Sequence, residues 1–250
     1  MDRKAVSGPV LGIDGCPGGG WVVARLSLDG YLTFAHAENV AALGAAAAES
    51  VLSLIDIPIG LVEGPRACDV EARQLIGPRR NSVFPAPPRW LLDCDTLEAA
   101  DAAMADHGRK RVQRQLWNIV ARIREVDGLL RSGVLTPGRL RECHPELYFR
   151  TLRGRVLEHS KHTREGLALR REIIAAYLPG AAASIDEALS SRSPWKEEDV
   201  LDACIAAITA AGVWTQELST IPARPSIDAC GLPMEMVVRW PREQRSPLPA

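Results

Sequence analysis

Five carboxylates stand in this chain where a carboxylate is costly. Asp14 interrupts the apolar run Val10-Leu11-Gly12-Ile13, and Asp56 interrupts Leu52-Ser53-Leu54-Ile55 ahead of Ile57-Pro58-Ile59. Glu146 follows His144-Pro145 just after the short run Arg139–Cys143. Asp199 and Asp202 share one helical face in Glu198-Asp199-Val200-Leu201-Asp202-Ala203. A charge inside a hydrophobic run must be paired, hydrogen-bonded or bound to a metal. Read singly, Asp14 or Asp56 caps a turn as readily as it serves a site. Two such strands in one small chain point to a site. Brought together without cations, these groups would repel and raise one another's pKa. Two divalent ions about 3.5–4 Å apart would relieve that repulsion and form a centre for phosphoryl transfer. Hard carboxylate oxygens suit Mg²⁺ or Mn²⁺ better than zinc.

The segment from Gly64 to Pro85 carries the opposite charge. Arg66, Asp69 and Arg73 recur at i, i+3 and i+7 on one face of a helix expected over Pro65–Ile76. Arg79, Arg80, Asn81 and Ser82 follow in a loop. Guanidinium groups offer a planar fork of donors that matches phosphate oxygens. The same residues also read as a solvated face with local ion pairs. From His107 to Lys161 the chain has 13 Lys and Arg against 5 Asp and Glu. That stretch is either a docking face for a polyanion or a set of solvated helix faces.

The elements that must position these groups follow from periodicity. Strands are expected over Val10–Asp14, Trp21–Ser27 and Tyr31–His36, with Asp29-Gly30 as a hairpin turn. An alanine-rich helix over Glu38–Glu49 leads to a fourth strand, Ser53–Ile57, whose unbroken apolar run suits burial on both faces. Thr96–Ser132 reads as two helices broken at His107-Gly108. In the second, Val112, Leu116, Ile119, Ile123, Val126 and Leu130 form an apolar stripe. Arg139–Cys143 is a fifth strand, which sets Glu146 just past a strand end, where open α/β sheets carry their sites. Lys161 and His162 precede a helix over Thr163–Leu178. Ser193-Pro194 opens the last helix, in which Leu201, Ile205 and Ile208 face the sheet. The helix dipole accounts for an anion at Asp199 better than at Asp202, one turn deeper beside alanines. Pro233–Trp240 reads as one last edge strand, Met1–Ser7 as a loose start and Pro241–Ala250 as a frayed end.

Bulk properties narrow the classes. The chain has 250 residues, 46% hydrophobic and 24% charged, which is an ordinary globular composition. Its net charge of -1 does not mark a nucleic-acid binder, so any basic surface is local. None of its six cysteines forms a CxxC pair, which argues against a zinc ribbon or a thioredoxin motif. Scattered cysteines without a leader peptide imply a reducing, cytoplasmic setting, and no apolar run is long enough to span a membrane.

As a set, Gly12-Ile13-Asp14-Gly15-Cys16, Ile55-Asp56-Ile57-Pro58-Ile59-Gly60, Arg66 to Arg73, Ser82-Val83-Phe84, His144-Pro145-Glu146 and Asp199 to Ala203 resemble the DUF429 family. That family is described as predicted ribonuclease H-like nucleases related to the Holliday-junction resolvases. The resemblance covers nearly the whole chain. It implies an α/β protein of ribonuclease H-like fold in a single domain over residues 1–250. Its mixed five-stranded sheet would have helices on both faces and a helical insertion at about 95–133. It implies a divalent-metal-dependent nuclease in which Asp14, Asp56 and Asp202 hold Mg²⁺ or Mn²⁺ and Glu146 or Asp199 completes the site. Arg66, Asp69, Arg73, Arg79, Ser82 and Lys161 would then contact the phosphate of a nucleic acid or nucleotide. Two rival readings stay open. One is an ATP-dependent phosphotransferase of the actin-like or sugar-kinase type, with Gly15 and Gly18 to Gly20 around a phosphate. The other is a non-catalytic anion-binding module. The oligomeric state is open, a homodimer included.

Overall fold

The computed structural model describes residues 7–190 and 193–240, so the expected loose start and frayed end lie, apart from Ser7, outside the described residues. Strands β1 (Val10–Gly15), β2 (Trp21–Leu26) and β3 (Leu32–Ala37) form an antiparallel meander. Helix α1 (Val40–Ala48) crosses to β4 (Leu52–Ile55), which lies parallel to β1, and β5 (Leu140–Glu142) lies parallel to β4. The result is a mixed sheet in the order β3-β2-β1-β4-β5.

Strand parity decides where the acids go. Val10, Leu52 and Leu54 belong to the core on one face of the sheet. Leu11, Ile13 and Ile55 belong to the core on the other. Side chains alternate along a strand. Asp14 and Asp56 therefore continue the even-numbered face. Ile13 pairs with Ile55, and the Asp56 N–H donates to the Ile13 carbonyl at 3.1 Å, so the two acids leave adjacent strand ends side by side.

Helices cover both faces. The odd-numbered face packs against α1 and α4 (Arg114–Arg131), through Leu43, Ala47, Ile123 and Val126. With α3 (Leu97–Asp106), α4 makes up the expected pair between Thr96 and Ser132. The even-numbered face packs against α5 (Pro145–Arg153), α6 (Arg164–Tyr177), α7 (Ala181–Ser190) and α8 (Glu197–Ala210). Of these, α8 lies closest. A Cβ placed on Gly12 would stand 2.0 Å from the Ala203 carbonyl oxygen and 2.2 Å from the Ala207 nitrogen. Helix backbone rests directly on strand backbone there, which glycine alone permits.

One expected element is placed differently. Pro233–Trp240 does not edge the main sheet; β7 (Pro233–Arg239) pairs antiparallel with β6 (Leu218–Ile227) in a second, two-stranded sheet. The ten-residue β6, reached through the short α9 (Gly212–Thr215), offers a longer ladder than the three-residue β5. Helix α2 (Ala67–Ile76) packs on this small sheet through Cys68, Ala72 and Ile76. Among the described residues no helix is long and apolar enough to cross a membrane.

Gly12→Ala should destabilise the fold by at least the ~1–3 kcal/mol of overpacking, because the clash is with backbone. Gly128→Ala on α4, where an added Cβ meets nothing within 4 Å, should instead gain up to ~1 kcal/mol of helix propensity. Urea denaturation of the two variants checks the contrast; equal stabilities would remove the close α8–β1 approach.

Candidate active site

The close approach of α8 at Ala203 sets Asp202 beside the strand ends that carry Asp14 and Asp56. Asp202 is only 1% exposed, and Asp14 and Asp56 are partly buried. Lys161, in the loop before α6, reaches in and donates to Asp202 Oδ2 at 2.6 Å. The other oxygen, Asp202 Oδ1, is buried without a hydrogen-bond partner. Burial, followed by the Asp202 and Asp56 carboxylates, lifts Asp14 well above its ordinary pKa, against the pull of Lys161. Burial likewise raises Asp56, against His144 and Lys161, and brings Asp202 up to about 6 against Lys161. Burial alone would lower Lys161; Asp202, Asp14 and Asp56 together raise it instead. Asp199 lies near this group, but its Oδ2 accepts the Lys196 N–H at 2.7 Å and so caps α8.

These groups floor a divided cleft. One cavity of about 260 Å³ is lined by Asp14, Asp199 and Arg122, and a second of about 480 Å³ by Asp202, Glu146, Arg79 and His162. Asp56, Ser82, Phe84, His144 and Lys161 line both. Arg122 comes from α4. It donates to the Cys16 carbonyl and lies over the Trp21 ring at 5.6 Å, which pins α4 to the turn after β1. Glu146, in the first turn of α5, is held through Oε1 by the buried Arg170, while its buried Oε2 has no hydrogen-bond partner. Arg79 Nε lies 3.9 Å from that oxygen and 3.3 Å from the Leu157 carbonyl. Ser82 gives its hydroxyl proton to the Arg79 carbonyl at 2.9 Å.

Two sequence expectations change here. Arg66 and Asp69 line the cleft wall but are engaged with each other and with Glu142 rather than open to a phosphate. Arg66 donates to Asp69 Oδ1 at 2.5 Å, to both Glu142 oxygens at 2.7 Å and to the Ile59 carbonyl at 3.0 Å, with Nε at 3.1 Å from Asp69 Oδ2. That uses every N–H of the guanidinium. The group locks α2 to the end of β5. Cys68, Asp69 and Glu142 have ligand atoms within 4.8 Å of one another, a spacing that could hold a metal ion, but Arg66 now takes both carboxylates. Glu142 was not read as a partner from the sequence; an acid at the inner end of a short strand was the available signal. Arg73 lies outside the cleft and gives an Nη1 proton to the Val83 carbonyl at 2.8 Å.

The basic stretch His107–Lys161 is also no continuous positive face. Arg109 pairs with Glu63, Arg124 with Asp95, Arg131 with Asp127, Arg141 with Glu235 and Arg153 with Glu158. Arg139 is bound to the Ala48 and Ser50 carbonyls. Three of those five acids come from elsewhere in the chain, so the excess seen along the sequence is reduced in space.

A model of the family described as "Protein of unknown function (DUF429)" matches residues 12–227. That is most of the 250 residues, and the chain belongs to this family. No curated protein and no solved structure matches it.

The raised acids predict a pH dependence. A carboxyl whose folded pKa exceeds its ordinary 3.8 binds more protons folded than unfolded, so its stabilising effect is full below 3.8 and is lost as pH rises through the folded value. Without divalent metal, the protein should lose stability as pH rises from about 4 through the raised carboxyl values, Asp202's at about 6 among them. Asp14→Asn should flatten that loss and melt higher than wild type at the alkaline end. Melting curves in EDTA across this range check it; parallel curves would mean that Asp14 carries no strained charge.

Proposed function

We propose that this chain hydrolyses phosphodiester bonds of nucleic acid at a carboxylate-held divalent-metal site, on a sheet of ribonuclease H-like order. The β3-β2-β1-β4-β5 arrangement, with β1 to β3 antiparallel and β4 and β5 parallel to β1, supports the fold reading. The observation that carries the function is the meeting of Asp14, Asp56 and Asp202 in one cleft, with Asp202 Oδ1 buried and unpartnered. A buried, unsatisfied carboxylate oxygen is costly. One ammonium, Lys161, faces four carboxylates there. The donor set is all oxygen, and it fits Mg²⁺ or Mn²⁺.

Asp14, Asp56 and Asp202 would hold the metal, with Glu146 Oε2 facing the same cleft from the α5 side. When bound, such an ion supplies Lewis acidity to water and phosphate oxygens. The protein's own groups do the positioning. Lys161 holds Asp202 in register and offers a positive charge to the cleft. Arg79 and Arg122 flank the two cavities as phosphate donors. Asp199, engaged in capping α8, supports Asp202 rather than binding directly. One feature favours the rival anion-binding module: Lys161 already partly neutralises the cluster without a metal.

Calorimetric titration of Mn²⁺ should show Asp14→Asn and Asp202→Asn losing more affinity than the about 10–100-fold typical of a supporting residue. Asp199→Asn should fall within that supporting range. Wild type should cleave at least one member of a panel of single-stranded, duplex and branched DNA and RNA. No Mn²⁺ binding would remove the metal site. Metal bound with no cleavage anywhere would leave the anion-binding module ahead.

A further inference from the structure

The 3-10 turn Gly77–Ser82 separates two cavities and sends neighbouring arginines to opposite sides. Arg79 lines the 480 Å³ cavity that holds Asp202. Arg80 lines a third, open cavity of about 630 Å³, with Val70, Arg73 and Gln74. Pro78 and Asn81 line both, so the turn is a shared rim. No acid lines the third cavity. Its wall offers two guanidinium groups, two side-chain amides and the apolar surface of Val70, which is 43% exposed.

We propose that this third cavity is a nucleotide subsite, and that a single strand of nucleic acid crosses the Gly77–Ser82 rim from it into the carboxylate cleft. Arg80 and Arg79 would each take a phosphate, one on either side of the rim. Guanidinium planes and the Val70 side chain suit the faces of bases, and the Gln74 and Asn81 amides, each with donor and acceptor, suit their edges. Asp202, 1% exposed, lies too deep for a phosphate held in the stacked wall of a duplex, whereas one strand can enter the cavity. The proposal rests on the hydrolase reading for which phosphate is cut, and not for the binding itself. It places the polyanion on this turn rather than on the basic stretch of α4.

The test is equilibrium binding of fluorescent deoxythymidine and uridine oligomers of about ten nucleotides, with Ca²⁺ and separately with EDTA. Arg80→Gln should weaken binding about tenfold, the worth of one charge-assisted contact. It should also flatten the dependence of log affinity on log salt by about 0.7. Arg114→Gln, an exposed arginine on α4, should leave both unchanged. The DNA and RNA arms report which sugar the subsite accepts. Unaltered oligomer binding in Arg80→Gln, or no binding by wild type in either buffer, overturns the proposal. Mn²⁺ calorimetry on the same samples separates the two readings. Intact Mn²⁺ affinity without oligomer binding rejects the rim alone. Arg80-dependent oligomer binding without Mn²⁺ affinity rejects the hydrolase and keeps the rim.

Discussion

The contact of α8 with β1 at Gly12 is the constraint on which the cleft depends. Asp14 is fixed by the strand and Asp202 by the helix, so their separation is set by how closely the two backbones approach. Ala203, Ala206 and Ala207 line the helix side of that contact and glycine the strand side. Any larger pair would lift the helix and draw the carboxylates apart. Packing interiors are close to crystalline density, so such a displacement would be passed to neighbouring residues rather than absorbed. Chemistry at Asp202 and stability at Gly12 are therefore two consequences of one packing decision.

Two buried charge clusters in this fold are resolved in opposite ways. At Arg66, one guanidinium meets two carboxylates, and every guanidinium N–H has a partner. Removing one member of such a group costs about 3–5 kcal/mol, because the survivors stay buried and uncompensated. It behaves as a rivet between α2 and β5. At Lys161, one ammonium meets several carboxylates and leaves Asp202 Oδ1 and, nearby, Glu146 Oε2 without hydrogen-bond partners. A satisfied network rigidifies, whereas an unsatisfied one retains capacity to bind. The contrast within one molecule, more than the presence of acids, distinguishes the structural cluster from the candidate site.

Much of this was legible in the chain. Apolar runs and turn signals marked the five strands of the sheet, and the even parity of Val10, Gly12, Asp14 and of Leu52, Leu54, Asp56 aims both acids at the same helix. The spacing of Asp199 and Asp202 placed them on one face of α8. What was not legible depends on contacts distant in sequence. The roles of Arg66 and Asp69 changed because Glu142, seventy-six residues beyond Arg66, completes their network. The basic stretch carries less excess charge than its sequence implies because Glu63, Asp95 and Glu235 reach it from elsewhere. Helices α5 and α7 and strand β6 escaped notice for a local reason. α7 is short and β6 carries Pro222 and Pro225, and neither shows a long run of one period. α5 is short, and its Glu146 was read only as an acid just past a strand end.

The cleft is assembled from distant parts, and this bears on how the protein can be altered. Asp14 and Asp56 come from the first quarter of the chain, Arg122 from α4, Lys161 from the loop before α6 and Asp202 from α8. None of these groups is near another before the sheet and its covering helices have closed. The pair α3 and α4, in particular, is not an appendage. Arg122 bridges α4 to the Cys16 carbonyl and the Trp21 ring, so it holds the glycine-rich turn that follows Asp14. Deleting 95–133 would remove a wall of the 260 Å³ cavity and uncover the apolar stripe on the odd face of the sheet. Stability and site geometry would then fail together. Helix α4 is thus part of the core on the odd face of the sheet and also reaches the candidate site.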